Sequence, residues 1–214
     1  LDAELGFDPR VVTFSTPLPA ASYPDADAIR AWQAQLLDRL EALPGVEAVG
    51  ATYSVPMRNA STTGFVAHPG ATESPPPEVG YNAATAGYFE ALDIPLLAGR
   101  LFDERDVPGA PTVIVVNQAL AERYFPGESP VGRSIRTGTE ADAGAIEIIG
   151  VIGDIRRASI DEAPEPELYY ALGQDVTSSP EFVVRASGDP GALLPAIRRA
   201  VADLDPDVAL GRPG

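Results

Sequence analysis

The sequence predicts an α+β fold: a split βαβ unit of the ferredoxin-like kind built from both chain ends, with a second, mixed α/β unit inserted in the middle. Three observations lead to it. Near the N-terminus a strand, a helix with a Leu/Ile stripe, a Pro-containing stop and another strand follow in order. Near the C-terminus the same order recurs. Between them, Ala84 to Arg136 carries two short helix signals and one wholly apolar strand, punctuated closely by Gly and Pro. The split unit reads as residues 1–84 plus 171–214 and the insert as 85–170. The simplest packing lays both long helices on one face of a shared sheet.

Val11, Val12 and Phe14 form a strand candidate before the Pro17–Pro19 stop. Ser22-Tyr-Pro-Asp25 reads as a capping box with Ser22 at the cap. Ile29, Trp32, Leu36, Leu37, Leu40 and Leu43 then fall on one helical face, up to Pro44-Gly45. Residues 46–55 read as the next strand, 59–64 as a polar turn, and 64–68 and 78–84 as two further strands. The Pro-, Gly- and Ser-rich HPGATESPPP between those two reads as an exposed hairpin loop.

Thr85 is placed to cap a short helix over 86–92, and Leu96 to Gly99 leads to a turn. Thr112 to Val116 is an apolar strand, and Asn117 is the expected N-cap of a helix over 118–124. A strand begins at Val131. Residues 145–155 are the most strand-like run, where Gly150 and Gly153 suggest a bulge or a close backbone approach. Short strands follow at 168–172 and 181–185. Asp189-Pro190 opens the last helix, striped by Leu193, Ile197, Val201 and Leu204, and a final short strand is expected at 208–210.

Composition excludes several functions. With 31 acidic and 15 basic residues the net charge is −16, which argues against nucleic acid and anionic lipid headgroups as partners. Every basic residue is Arg, so Schiff-base and P-loop lysines are excluded. Without Cys there is no disulfide, thiolate zinc site or cysteine nucleophile. Apolar runs such as Val113–Val116 fall far short of the roughly 20 residues that span a bilayer.

The candidate chemical groups are few, and structural roles explain each of them. His68, the one histidine, stands at a loop edge without a second ligand or an evident nucleophile. Asp103, Glu104 and Asp106 lack the register of a calcium loop, and Arg105 in their midst works against a bound cation; they read as a solvated turn or as local partners of Arg100. Asp161, Glu162, Glu165 and Glu167 read as a solvated acidic loop. Tyr88, Phe89, Tyr124 and Phe125 recur in two short helices, where core packing is the commoner use of such pairs. No nucleophile elbow or dinucleotide fingerprint occurs. Accordingly no catalytic, cofactor-binding or metal-binding residue is assigned, and no cofactor is expected.

Three blocks carry a family resemblance: TAGYFEALDIPLLAGRLFDERD, VIVVNQALAERYFPGESPVGRSIR and EIIGVIGDIR. Through Tyr88, Phe89, Gly99, Arg100, Phe102 and Asp106, then Val116, Asn117, Phe125, Pro126 and Gly132, then Gly150, Val151 and Asp154, the chain resembles the extracytoplasmic core domain of MacB/FtsX-type ABC transporter permeases. The resemblance covers nearly the whole chain. It implies a porter-type unit made from both chain ends that bears an inserted subdomain, with no catalytic residues of its own. It also implies a place outside the cell membrane, between the first and second transmembrane helices of a permease. The implied partners are those helices, a cytoplasmic ATP-binding subunit or domain, a second copy of the chain and an envelope protein. On that reading a transmembrane helix precedes Leu1 and others follow Gly214.

Two other classes stay open. One is a freestanding extracytoplasmic binding module for a peptide or small ligand, which needs a deep apolar pocket lined by Tyr88 and Phe89. The other is a carboxylate hydrolase, which needs two acids about 5–9 Å apart in a cleft.

Overall fold

The computed structural model describes residues 10–55, 62–67, 77–137, 144–155 and 163–211. In chain order the strands are β1 (Val11–Ser15), β2 (Val46–Thr52), β3 (Thr62–Ala67), β4 (Glu78–Ala84), β5 (Leu96–Gly99), β6 (Val113–Asn117), β7 (Ser134–Thr137), β8 (Ala145–Ile152), β9 (Glu167–Ala171) and β10 (Glu181–Ala186). The helices are α1 (Ala26–Glu41), α2 (Ala86–Ala91), α3 (Gln118–Tyr124) and α4 (Leu194–Leu204). The fold is mixed α/β, as expected.

All ten strands join one sheet, in the order β1-β10-β2-β4-β3-β7-β8-β6-β9, with β5 paired to β8. Because β9 also pairs in parallel with β4, the strands β4, β3, β7, β8, β6 and β9 close into a ring. The β1-β10-β2 ribbon extends from it, wholly antiparallel, and β2 touches β4 through the single register pair Thr52–Ala84.

Both long helices lie on one face of that ribbon. Ile29, Trp32, Leu36 and Leu40 of α1 and Ile197, Ala200 and Val201 of α4 pack on Phe14, Val49, Phe182 and Val184. Phe14 and Phe182 stack with centroids 5.3 Å apart, and Trp32 meets Phe182 edge-on at 6.2 Å. The opposite face carries α2. There Tyr88, Phe89 and Leu92 pack with Phe102, Val115, Ile149, Tyr169 and Val183. A third cluster groups Val79, Ile114, Val116, Ile135, Ile148 and Leu168, the alternate positions that share one face around the ring, with Leu120, Ala121 and Phe125 of α3.

Local departures from the expected elements have local causes. Ser22 does not cap α1, because its amide and that of Tyr23 both donate to the Pro19 carbonyl in a turn. Asp25 is the cap, its Oδ1 accepting from the Ala28 amide at 2.9 Å. Thr85 stands at the N-cap of α2 but makes no cap bond. Its hydroxyl instead accepts from the Ala51 amide at 3.0 Å and fastens the helix to β2.

Leu96–Gly99 is strand β5, not the lead into a turn. Its four residues are all exposed, so no alternation marks it. β7 starts at Ser134 rather than Val131, because Gly132 (φ +80°) sits in the preceding turn. No strand forms at 208–210. The Val208 amide donates to the Asp205 carbonyl in a turn, and Val208 is buried in the α1/α4 core instead. His68, residues 69–76 of the expected hairpin loop, and Asp161 and Glu162 lie outside the described residues.

Candidate functional site

The residues that carry the three sequence blocks gather around β8. β6 pairs with one side of β8 in parallel, while β7 and then β5 take the other side antiparallel. The turn before β7 is tied in twice. The Gly132 amide donates to the Ile148 carbonyl at 2.9 Å, and the Ile148 amide donates to the Arg133 carbonyl at 2.9 Å. The Arg100 amide donates to the Ile149 carbonyl at 2.9 Å.

Gly99 and Gly150 face each other here. Gly99 has φ +75°, and a Cβ built on it would sit 2.2 Å from the Ile149 carbonyl oxygen. A Cβ on Gly150 would sit 2.2 Å from the Arg100 carbonyl oxygen. The register of β6 against β8 shifts between Ile114 and Val115, opposite the interval from Ile148 to Gly150. The bulge and the close approach expected near Gly150 are therefore both present.

Two polar residues hold α3 onto this junction. Asn117 caps the helix, its Oδ1 accepting from the Leu120 amide at 3.0 Å. The same oxygen accepts from the Glu167 amide at 2.9 Å, and Nδ2 donates to the Glu165 carbonyl at 2.8 Å. Asp154 reaches the first turn of α3 from the end of β8, accepting from the Ala119 amide at 2.9 Å. Burial pushes its carboxyl above the usual carboxylate range, against that hydrogen bond.

The acidic turn after β5 forms the expected pairing with Arg100 and adds one with Arg105. Arg100 clamps Asp106 bidentately, at 2.6 and 2.9 Å, and also reaches Asp103 at 3.3 Å. Arg105 meets Asp103 at 2.7 Å. Asp106 also accepts from the Asp103 amide at 2.9 Å, and its side chain is only 4% exposed. The Arg100 fork holds its carboxyl below the usual range. Arg105 does the same for the Asp103 carboxyl. Among the described residues no group of acidic or histidine side chains has the arrangement of a metal site.

The remaining candidates separate. Tyr88 and Phe89 are fully buried. Phe89 meets Tyr169 edge-on with centroids 5.1 Å apart and lies tilted against Phe102 at 6.3 Å. They are core, as expected, and neither of the two clefts formed by described residues is lined by them. Phe125 is buried with α3, while Tyr124 is partly buried and lies under Arg123, 5.5 Å from its ring centroid. Glu165 is exposed, whereas Glu167 is buried and accepts from the Tyr169 hydroxyl at 2.5 Å. That burial departs from the solvated loop expected for Glu167. Its place on β9, with Asn117 bonded to its amide, draws it inward.

A cleft of about 380 Å³ opens between α1 and the turn that follows β5. Leu37, Ala34, Phe102 and Val107 wall it, with Arg30 and Asp103 at its polar side. A second group that spacing did not reveal joins Tyr53, Tyr81, Tyr170 and Asp175 beside the ring. Among the described residues no helix is long and apolar enough to cross a membrane.

Known proteins resemble both sequence and fold. Residues 7–204 match the model of the MacB-like periplasmic core domain. A 73-residue stretch is 36% identical to the macrolide export ATP-binding/permease protein MacB of Syntrophobacter fumaroxidans. That stretch spans 34% of this chain but only 10% of the relative. The periplasmic region of MacB from Actinobacillus actinomycetemcomitans superposes with a TM-score of 0.60 at 15% identity, over 98% of this chain and 92% of that one. The extracellular domain of the noncanonic ABC-type transporter YknZ from Gram-positive bacteria gives 0.53 at 18% identity, over 90% and 91%. A domain of a putative permease from Porphyromonas gingivalis gives 0.56 at 15% identity, over 96% and 91%. With the family model spanning nearly its whole length, the chain belongs to the family of MacB-like periplasmic core domains of ABC transporter permeases.

Proposed function

We propose that this chain is a non-catalytic extracytoplasmic domain that couples ATP-driven conformational change in a permease to envelope substrates or partners. One observation carries the reading beyond family membership. Gly99, Arg100, Asp106, Asn117, Gly132, Gly150 and Asp154 all hold backbone or one another around β8. Residues spent on rigid joints suit a part that transmits force.

On this reading the partners are the permease's own transmembrane helices, a cytoplasmic ATP-binding subunit or domain, a second copy of the chain and an envelope protein. The division into residues 1–84 plus 171–214 and the insert 85–170 belongs to the same proposal. The α1/α4 core draws its helices from the first set, and α2, α3 and β5 to β8 come from the second. β3 and β4 pair with β7 and β9 across that boundary and tie the two parts together.

The test uses the full-length gene product in cells. The 214 residues here contain no Cys, so a cysteine at exposed Val107, with any cysteine elsewhere in the full-length product replaced by Ser, reports sidedness cleanly. A membrane-impermeant maleimide added from outside the cytoplasmic membrane is expected to label it. Labelling only in inverted vesicles would end the proposal. Removing residues 10–211 should leave basal ATP hydrolysis in place and abolish transport. The cleft beside Phe102 supports a second reading, a binding module for a small apolar ligand. Its test is ligand-dependent stabilisation of the isolated chain.

A further inference from the structure

Asp175 is a half-buried carboxylate whose partners are two tyrosine hydroxyls. Tyr53 donates to its Oδ1 at 2.6 Å and Tyr81 donates to its Oδ2. No cation among the described residues reaches it. Each carboxylate oxygen keeps a further lone pair after accepting one hydroxyl.

The surroundings are aromatic. Tyr81 meets Tyr53 edge-on with centroids 6.0 Å apart and Tyr170 at 5.4 Å. Tyr170 donates to the Thr137 hydroxyl at 2.8 Å. Tyr53 and Tyr170 pack against the α1/α4 core, and Tyr81 and Tyr170 against the core of the ring. The row therefore lies on the seam between those two cores. Burial and the bond to Asp175 keep the Tyr53 and Tyr81 phenols above their usual range, so both remain protonated donors.

Asp175 is also held in place. Its loop is fastened by Arg30, whose Nε donates to the Gly173 carbonyl at 2.7 Å, and by Gln33, whose Nε2 donates to the Thr177 carbonyl at 2.8 Å. Gln174 ties the same loop to the start of β6, accepting from the Val113 amide at 3.3 Å. A carboxylate held among aromatic rings with no counter-ion among the described residues is the inverse of the usual rule that buried charge is paired.

We propose that the Tyr53–Tyr81–Tyr170–Asp175 cluster is a binding site for a guanidinium group, which forks onto the open lone pairs of Asp175 and lies against the tyrosine rings. A planar guanidinium suits both contacts better than a compact ammonium. The chain's acidic balance draws such a cation toward it. The group could be borne by a free small molecule or by an arginine of a partner protein; the chemistry is the same. This inference stands apart from the transport reading, since a freestanding module would carry the same site.

The test titrates the 214-residue chain by NMR with agmatine, with N-butylurea as its uncharged counterpart, and with a blocked Gly-Arg-Gly peptide. Saturable shifts of the three tyrosine ring signals with agmatine and none with butylurea are expected. Asp175→Asn should weaken agmatine roughly tenfold or more, the loss of one charge-assisted contact. Tyr53→Phe keeps the ring, leaves the charge of Asp175 in place, and should retain binding within about threefold. A peptide at least tenfold tighter than agmatine assigns the site to a partner's arginine; equal affinities assign it to a small molecule. Three results would each overturn the proposal: no saturation with agmatine by roughly 50 mM, equal shifts with butylurea, or unchanged affinity in a folded Asp175→Asn chain. The butylurea comparison needs only the native chain and stands even if a variant fails to fold.

Discussion

At the β1-β10-β2 end, side-chain volume holds the structure together: α1 and α4 lay apolar stripes on three antiparallel strands. Around β8, backbone geometry does the same work. Three strands meet one strand, a glycine turn abuts a carbonyl, and Asn117 and Asp154 fasten a helix of seven residues. The contrast teaches how each region fails. A layered core loses stability roughly in proportion to the atoms removed, because its neighbours relax only partly into the space. A junction of backbones fails when one atom is added, because carbonyls and strands cannot step aside.

The sharpest test adds atoms at the junction. Gly99→Val combines a positive φ with a Cβ 2.2 Å from a carbonyl oxygen. It should cost about 3–5 kcal/mol in urea unfolding. If Gly99→Val unfolds at the native midpoint, the distinction between the two regions is lost. Asn117→Ala removes a cap and leaves the Glu167 amide without its acceptor, for about 2 kcal/mol. Arg100→Met leaves Asp106 without its fork. Because Arg100 itself is one-third exposed, solvent limits the loss to roughly 1–2 kcal/mol. Gly132→Val, with positive φ but open space around its Cβ, should cost about 1–2 kcal/mol, clearly less than Gly99→Val. At the layered end Ile197→Val removes one buried methyl for about 1 kcal/mol. Thermal or urea midpoints for the five variants place them in this order.

Acid sharpens the comparison further, since the junction carries shifted carboxylates of both signs. The Asp106 carboxyl is depressed in the folded chain, so its contribution is present above the ordinary value of 3.8 and is lost as pH falls below it. The Asp154 carboxyl is raised, so its ionisation opposes folding, and that penalty is relieved as pH falls toward 3.8. Arg100→Met should therefore flatten the loss of stability below pH 4, and Asp154→Asn should flatten the slope just above it. Urea midpoints measured across pH 3–6 read both slopes.

Much of the layered end was legible. The stripes of α1 and α4 follow the helical period, and the strands around them carry β-branched and aromatic residues that fit a half-buried sheet. Asn117 was recognisable as a cap because capping acts within three residues. The pairing of Arg100 with Asp103 and Asp106 was legible for the same reason of proximity. β5 was not, because four exposed residues carry no period.

Local chemistry, then, was determined by the sequence: helix stripes, turns at Gly and Pro, one cap, a short-range ion pair and the blocks that mark the family. Only the tertiary structure decided that β9 returns to β4 and closes the ring, since pairing over such separations depends on which surfaces meet. It also decided that Asp154 would bond the first turn of α3 from 35 positions away, and that Tyr53 and Tyr81, with Tyr170 beside them, would converge on Asp175. Spacing along the chain is blind to such contacts, because the positions of their partners are products of the fold.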